Sequence, residues 1–195
     1  MVRVRPSRTG SRGQTLTELA FLSPVLLLFL LGVGDTGYAL YQTHRATAFS
    51  REGANLIARY ETFDDTSALL QAVATAPLDV DADRAVILSV LKLGTGGSNK
   101  NQAIVTQRLR FGSLGTASVL GDPASAAFGN DANHKALDPD DDARLRAPLP
   151  LPNGLTLVAG QSVYVVEVYH RRRSIGRAGL FGWVLPSTVS ASAFF

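Results

Sequence analysis

Leu19-Ala-Phe-Leu-Ser-Pro24-Val-Leu-Leu-Leu-Phe-Leu-Leu-Gly-Val-Gly34 decides how this chain is read: sixteen consecutive residues without a charge, bounded by Glu18 and Asp35. As a helix the run is about 24 Å long at ~1.5 Å per residue. Uncharged Gln14 to Thr17 extend it upstream. Thr36 to Thr43 extend it downstream and place Tyr38 and Tyr41 where an interface favours them. The spacing predicts one membrane-spanning helix. A cleaved secretory signal has similar hydropathy. Three features favour the span: Glu18 stands directly before the apolar run, the flank Gly32 to Tyr38 has no clear small-x-small pattern, and the helical pattern continues beyond it. Pro24 lacks an N–H and frees a backbone carbonyl, which neighbouring groups can satisfy in a membrane helix.

Charge supports the same reading. The 195 residues hold 19 Lys and Arg against 16 Asp and Glu, for a net +3. Arg3, Arg5, Arg8 and Arg12 meet no acid before Glu18, and the remainder of the chain sums to one net negative charge. A basic surface for nucleic acid is thereby excluded, since that charge would gather on a folded face. The arginines instead form a basic leader, residues 1–13, that holds the N-terminus in the cytoplasm and directs the rest of the chain outside it. Cysteine is absent, which removes disulfides, thiolate metal sites and Cys nucleophiles.

Beyond Asp35 the helix becomes amphipathic. Ala46, Phe49, Gly53, Leu56, Ile57 and Tyr60 recur at intervals of three and four, with Arg45, Arg51, Glu52 and Arg59 on other faces. The pattern predicts a helix over 14–60 whose first half lies in lipid and whose second half packs on a soluble domain through Phe49, Gly53, Leu56 and Tyr60. Gly53 permits a close approach there, at about 1 kcal/mol of helix propensity.

The combination Arg12-Gly13-Gln-Thr-Leu-Thr-Glu18-Leu19, then Pro24, Gly32, Asp35, Gly37, Tyr41 and Arg51-Glu52-Gly53-Ala54, resembles the N-terminal region of the TadE-like family, minor pilins or pseudopilins of tight-adherence (Tad/Flp) type IV pilus systems. The resemblance covers about residues 12 to 58. It implies a structural subunit in the cytoplasmic membrane. It also implies a prepilin peptidase that cuts between Gly13 and Gln14, and a role for Glu18 in pairing with the new N-terminal ammonium of a neighbouring subunit. Its partners would be the membrane, the peptidase, other pilin-like subunits and the pilus assembly platform, with no nucleic acid. Leu19 stands where these pilins commonly carry an aromatic residue. Readings from other classes are an unprocessed single-span anchor displaying a binding domain, and an exported enzyme.

Residues 61–195 read as an extracytoplasmic α+β domain. Asp64-Asp65-Thr66-Ser67 offers N-caps for a short helix through Leu69, Leu70, Val73 and Ala76, stopped by Pro77. Arg84–Leu93 and Gln102–Phe111 read as a hairpin. Its second strand alternates Ala103, Val105, Leu109 and Phe111 against Thr106, Arg108 and Arg110. The Gly-rich link between them lacks the Lys-Ser/Thr of a phosphate loop. Residues 112–160 show no period and form an irregular insertion. Its run Asp138-Pro-Asp-Asp-Asp142 departs from an EF-hand and reads as a solvated loop. Ser162–His170 and Ser187–Phe195 complete four strands, with Arg171 to Arg173 and Leu180 to Trp183 in the loop between. The fold class is therefore α+β, a long N-terminal helix on a small antiparallel sheet. His44, His134 and His170 form no catalytic or metal-binding motif, so the chain reads as neither an enzyme nor a cofactor or metal protein.

Overall fold

A computed structural model describes residues 11–59, 62–74, 83–174 and 185–195, with side chains from Leu16 onward. The chain divides into two compact units, one of Met1–Leu40 with Ser174–Leu185 and one of Tyr41–Arg173 with Pro186–Phe195. Helix α1, Ser11–Ala58, supplies residues to both. Helix α2, Phe63–Val73, and strands β1 (Arg84–Leu93), β2 (Ala103–Gly112), β3 (Ser162–Arg171) and β4 (Thr188–Phe194) belong to the second unit. The strands form one antiparallel sheet in the order β2-β1-β3-β4. The α+β architecture expected from the sequence is the one observed.

One sheet face carries the helices. Val86, Leu88 and Val90 of β1, Val166 and Val168 of β3, and Val189 and Ala193 of β4 pack against Ala46, Phe49, Ala54 and Ile57 of α1 and Phe63 and Leu70 of α2. Helix α2 begins earlier than its acidic cluster implied. Thr62 is its N-cap and accepts a hydrogen bond from the Asp65 N–H at 3.1 Å, leaving Asp64 and Asp65 in the first turn, where the helix dipole favours them. Ala74 is its C-cap; Ala76 and Pro77 lie outside the described residues.

The other face is covered by residues 112–160, which is more than an irregular surface excursion. Leu120, Ala127, Phe128, Leu145, Ala147 and Leu151 from this segment form a second core with Leu91, Ala103, Val105 and Val165 of the sheet. The sheet is thus enclosed between helices and an aperiodic layer held by main-chain bonds.

Strand β2 serves both cores because it is bulged. Val90 pairs with Gln107 and Leu91 with Val105, so Thr106 is skipped in the register and only its hydroxyl reaches β1, donating to the Val90 carbonyl at 3.3 Å. A side-chain period of two means that one inserted residue exchanges faces. Ala103 and Val105 therefore line the aperiodic layer, whereas Leu109 and Phe111 line the helix layer. The single apolar face expected along β2 is corrected accordingly.

The acidic run also has a structural task. The Asp141 carboxylate accepts from the Ser98 N–H at 2.9 Å, the Asp140 carbonyl accepts from the Asn99 N–H, and the buried Asn99 amide donates to the carbonyls of Pro139 and Asp142. These bonds clamp the β1–β2 turn, where Gly97 has φ +54° and any side chain would collide with Asp140 and Asp141. The run is therefore a staple and not a freely solvated loop.

Gly53 sets the approach of α1 to the sheet. A Cβ at this position would lie 3.1 Å from Leu70 Cδ1 and 3.2 Å from Val166 Cγ1. Gly53→Ala gains helix propensity while pressing on a yielding leucine terminus and a stiff valine, so its stability should stay within about 1 kcal/mol of wild type. Gly53→Leu should destabilise the domain by about 1–3 kcal/mol through overpacking. Denaturant melts of both variants check this ordering.

Candidate functional site

Helix α1 meets two different environments. From Leu16 to Leu31 every residue is exposed, including Phe21 at 77% and Phe29 at 70%. An 18-residue window here has a mean hydropathy of 2.2 with none of it buried, and among the described residues this is the helix long and apolar enough to cross a membrane. An uncovered apolar sleeve of this extent calls for lipid or other apolar helices. Pro24 leaves the Ala20 carbonyl without its usual helical donor, and the Ser23 hydroxyl faces that carbonyl at 3.5 Å.

From residue 41 onward one stripe is buried: Gln42, Ala46, Phe49, Ser50, Gly53, Ala54 and Ile57. Phe49 belongs to the helix-side core, and the Arg84 guanidinium carbon lies 4.9 Å from its ring centroid, a cation–π geometry. Leu56 is half-buried against the core while Ala54 is fully enclosed, so the stripe is turned slightly from the one expected. Tyr60 lies outside the described residues. Gly13 and Gln14 occupy the first turn of α1, and Glu18 follows on its exposed stretch. Gln42 fixes the start of the buried stripe: its side-chain amide donates to the Arg173 carbonyl at 2.7 Å and its oxygen accepts from the Arg173 N–H at 3.1 Å.

The opposite sheet face hides a polar network that strand alternation alone did not reveal. Arg108 is buried, although alternation placed it on a solvent face. Its guanidinium donates to Ser89 Oγ at 3.2 Å, the Gly121 carbonyl at 2.6 Å and Ser118 Oγ at 3.1 Å. The Ser118 hydroxyl donates to the buried Glu167 carboxylate, which also accepts from the Val119 N–H at 2.8 Å and the Tyr169 hydroxyl at 3.2 Å. Burial lowers the Arg108 pKa, and the negative charges of Glu167 and Asp122 oppose that shift. Burial followed by the Glu167 charge raises the Tyr169 pKa. The sequence held one signal for this network: Glu167 is the lone acid within Val163–Tyr169.

The three histidines serve separate places. His44 is exposed on α1, and His134 lies 3.0 Å from Asp64 through Nε2. His170 is fully buried on β3 and pairs in register with Arg84. The described residues contain no group of three His, Asp or Glu side chains arranged to hold a metal ion. A cavity of about 490 Å³ beside Arg108, Arg110 and Asp122 opens near His134. Its charged groups are already engaged: Arg110 donates to the Leu114 carbonyl at 2.8 Å and faces Asp122 at 3.7 Å. The geometry that remains for function is an apolar helix carried by a well-packed domain.

Residues 13–55 match the family model for TadE-like protein. The match covers the exposed apolar stretch and most of the buried stripe, while α2, the sheet and residues 112–160 lie beyond it. The TadE-like family is structural and pilus-associated, as the resemblance read from the sequence implied. No curated protein and no solved structure matches the chain.

Two expectations follow from the buried charges. Arg108→Met should cost about 3–5 kcal/mol, because Glu167 would remain buried without its counter-charge. Adding Glu167→Leu should restore part of that loss, and a double-mutant cycle in denaturant measures it. His170 is held neutral, its pKa lowered from 6.5 by burial first and then by the Arg173 charge, with Arg84 adding to the shift and Asp83 opposing it. Between its folded and unfolded pKa values the unfolded chain binds more protons, so this stability contribution is full above pH 6.5 and declines as the pH falls. His170→Gln should reduce the acid-side slope of stability against pH in urea titrations.

Proposed function

We propose that this chain is a minor pilin or pseudopilin, a structural subunit in the assembly of a Tad/Flp-type type IV pilus. The observation that carries the reading is the TadE-like match on a helix whose first part exposes an unbroken apolar sleeve and whose second part is built into a folded domain. In this reading α1 crosses the cytoplasmic membrane once, the arginine leader stays in the cytoplasm and the α+β domain lies outside. The protein serves by packing with other pilin-like helices, and its domain determines what it presents beside them.

Processing fits the local physics of the helix start. Gly13 and Gln14 lie in the first turn of α1, where backbone N–H groups have no intrahelical acceptor, and Gly13 lowers helix propensity further. A peptidase therefore opens little structure to hold this junction extended. Cutting there removes all four leader arginines, so the apolar helix is no longer tethered to the cytoplasmic face and is free to leave the bilayer laterally into a filament. Glu18 then becomes the fifth mature residue and pairs with the N-terminal ammonium of a neighbouring subunit in a low-dielectric bundle.

N-terminal sequencing of membrane-extracted protein tests the proposal. Cells with an intact pilus system should yield chains beginning at Gln14, and Gly13→Leu should leave full-length precursor. Glu18→Ala should insert normally and lose crosslinking to other pilin-like subunits together with piliation, because an unpaired buried charge costs about 3–5 kcal/mol. Wild-type chains that retain Met1 or Val2, or normal assembly by Glu18→Ala, overturn the corresponding step.

A further inference from the structure

Basic side chains gather where α1 leaves its apolar stretch. The two hydrogen bonds between the Gln42 side chain and the Arg173 backbone tie the chain just beyond β3 to α1 at this level. Arg171, which ends β3, and Arg172 and Arg173 therefore stand together beside the helix, and Arg45 follows three residues after Gln42 on α1 itself. Among the described residues Asp83 is the acid that faces them. It lies 3.7 Å from Arg171 and 3.9 Å from Arg173, longer than a hydrogen bond, and 64% and 46% of these two side chains remain exposed. Arg172 is held at the same edge: its Nε donates to the Pro186 carbonyl at 3.1 Å and its N–H to the Ser187 carbonyl at 2.8 Å. Tyr41, next to Gln42, is exposed as well and suits a membrane interface.

The rise of α1 sets the depth of this cluster. A hydrocarbon core of about 30 Å takes about 20 helical residues, so a core that begins at Leu19, directly after Glu18, ends at Tyr38. Asp35 falls just inside that boundary and is itself enclosed, at 4% exposure. Gln42 lies four residues beyond Tyr38, about 6 Å along the axis, within a headgroup layer about 5–7 Å thick.

We propose that Arg171, Arg172 and Arg173 form a docking surface for the anionic phospholipid headgroups of the extracytoplasmic leaflet. The occupant follows from position, because headgroups surround α1 at this level in any bilayer it crosses. It follows also from charge, because the phosphate is the anion of that layer and a guanidinium binds it through paired N–H groups. Long arginine side chains reach such a layer while their stems lie along the protein. The cluster agrees with a cytoplasmic leader, since orientation is decided by basic residues close in sequence to the span, and Arg171 is made long after it. The inference rests on α1 spanning the membrane and not on processing or pilus assembly. Cleavage after Gly13 leaves the surface intact, so the mature chain keeps a hold on the outer face of the bilayer once the leader arginines are gone.

Because the chain has no cysteine, a benzophenone can be placed at Ser187→Cys alone, exposed beside Arg172. Full-length protein is reconstituted in vesicles of equimolar phosphatidylglycerol and phosphatidylcholine and washed with carbonate. The retained protein should crosslink phosphatidylglycerol at least fivefold over phosphatidylcholine at low salt, since one arginine near an anionic surface is worth about fivefold in affinity. The leader arginines stand across the bilayer from this label. Replacing Arg171, Arg172 and Arg173 together by Gln should bring the ratio to about one, and replacing them by Lys should keep it above that of the Gln variant. Salt of roughly 0.5 M, where the Debye length is about 4 Å, should erase the preference of the unsubstituted cluster and needs no variant to fold. Lys100→Gln, Lys135→Gln and Arg144→Gln, three exposed charges elsewhere, should together leave the ratio unchanged. A ratio near one from membrane-retained protein at low salt overturns the proposal. So does a preference that survives the Gln replacements or high salt, or that the three distant charges also abolish. Release of the protein by carbonate is a different result, and overturns the span itself.

Discussion

The close seating of α1 on the sheet is the contact on which the remaining architecture depends. Gly53 lets the helix backbone lie against Val166 and Leu70, and Phe49, Ala54 and Ile57 then reach the valines of β1 and β3. Without that approach the apolar face of an antiparallel sheet would stand in water, and α2 would lose the corner it fills with Phe63 and Leu70. Gln42 sets the point along α1 where this contact starts by hydrogen-bonding the backbone beyond β3 in both directions. One helix is thereby asked to satisfy two solvents, and its sequence changes character accordingly, from an uncharged run dominated by Leu to a mixture of small apolar and charged residues.

The features legible in the sequence are those generated by a period. Sixteen uncharged residues announced the exposed stretch, intervals of three and four announced the docked stripe, alternation announced β2 and β4, and runs rich in β-branched residues announced β1 and β3. What stayed hidden arises where a period is broken. The Thr106 bulge exchanges the faces of β2, so Val105 and Leu109 look equivalent in the sequence and enter different cores. Leu120, Leu145 and Leu151 carry no period because they descend on the sheet from an aperiodic layer. Their burial follows from tertiary contacts that no local pattern encodes. Likewise Arg108 looked solvated because its counter-charge lies on β3, two strands away across Ser89.

The interfacial residues divide in a similar way. Phe49, Gly53 and Leu56 were recognisable from spacing because a helix stripe is a local property. The roles proposed for Gly13, Gln14 and Glu18 rest on resemblance alone, since a processing junction and an intersubunit ion pair would leave no mark on the packing of an isolated chain. The pairing of His170 with Arg84 was not legible because the two become neighbours only when β1 and β3 align.

The Arg108 network also bears on when this domain acquires its structure. The guanidinium leaves the ribosome with β2, Ser118 follows shortly after, and Glu167 arrives with β3 once the whole aperiodic layer has been made. Strand β1, central in the sheet, likewise waits for β3 to take its second neighbour. A topology in which distant segments complete one another folds slowly and late. A chain delivered through a membrane from its N-terminal helix would therefore cross as an unfinished polymer. It would close its charged interior only after nearly all of it had reached the far side, without help from disulfide chemistry.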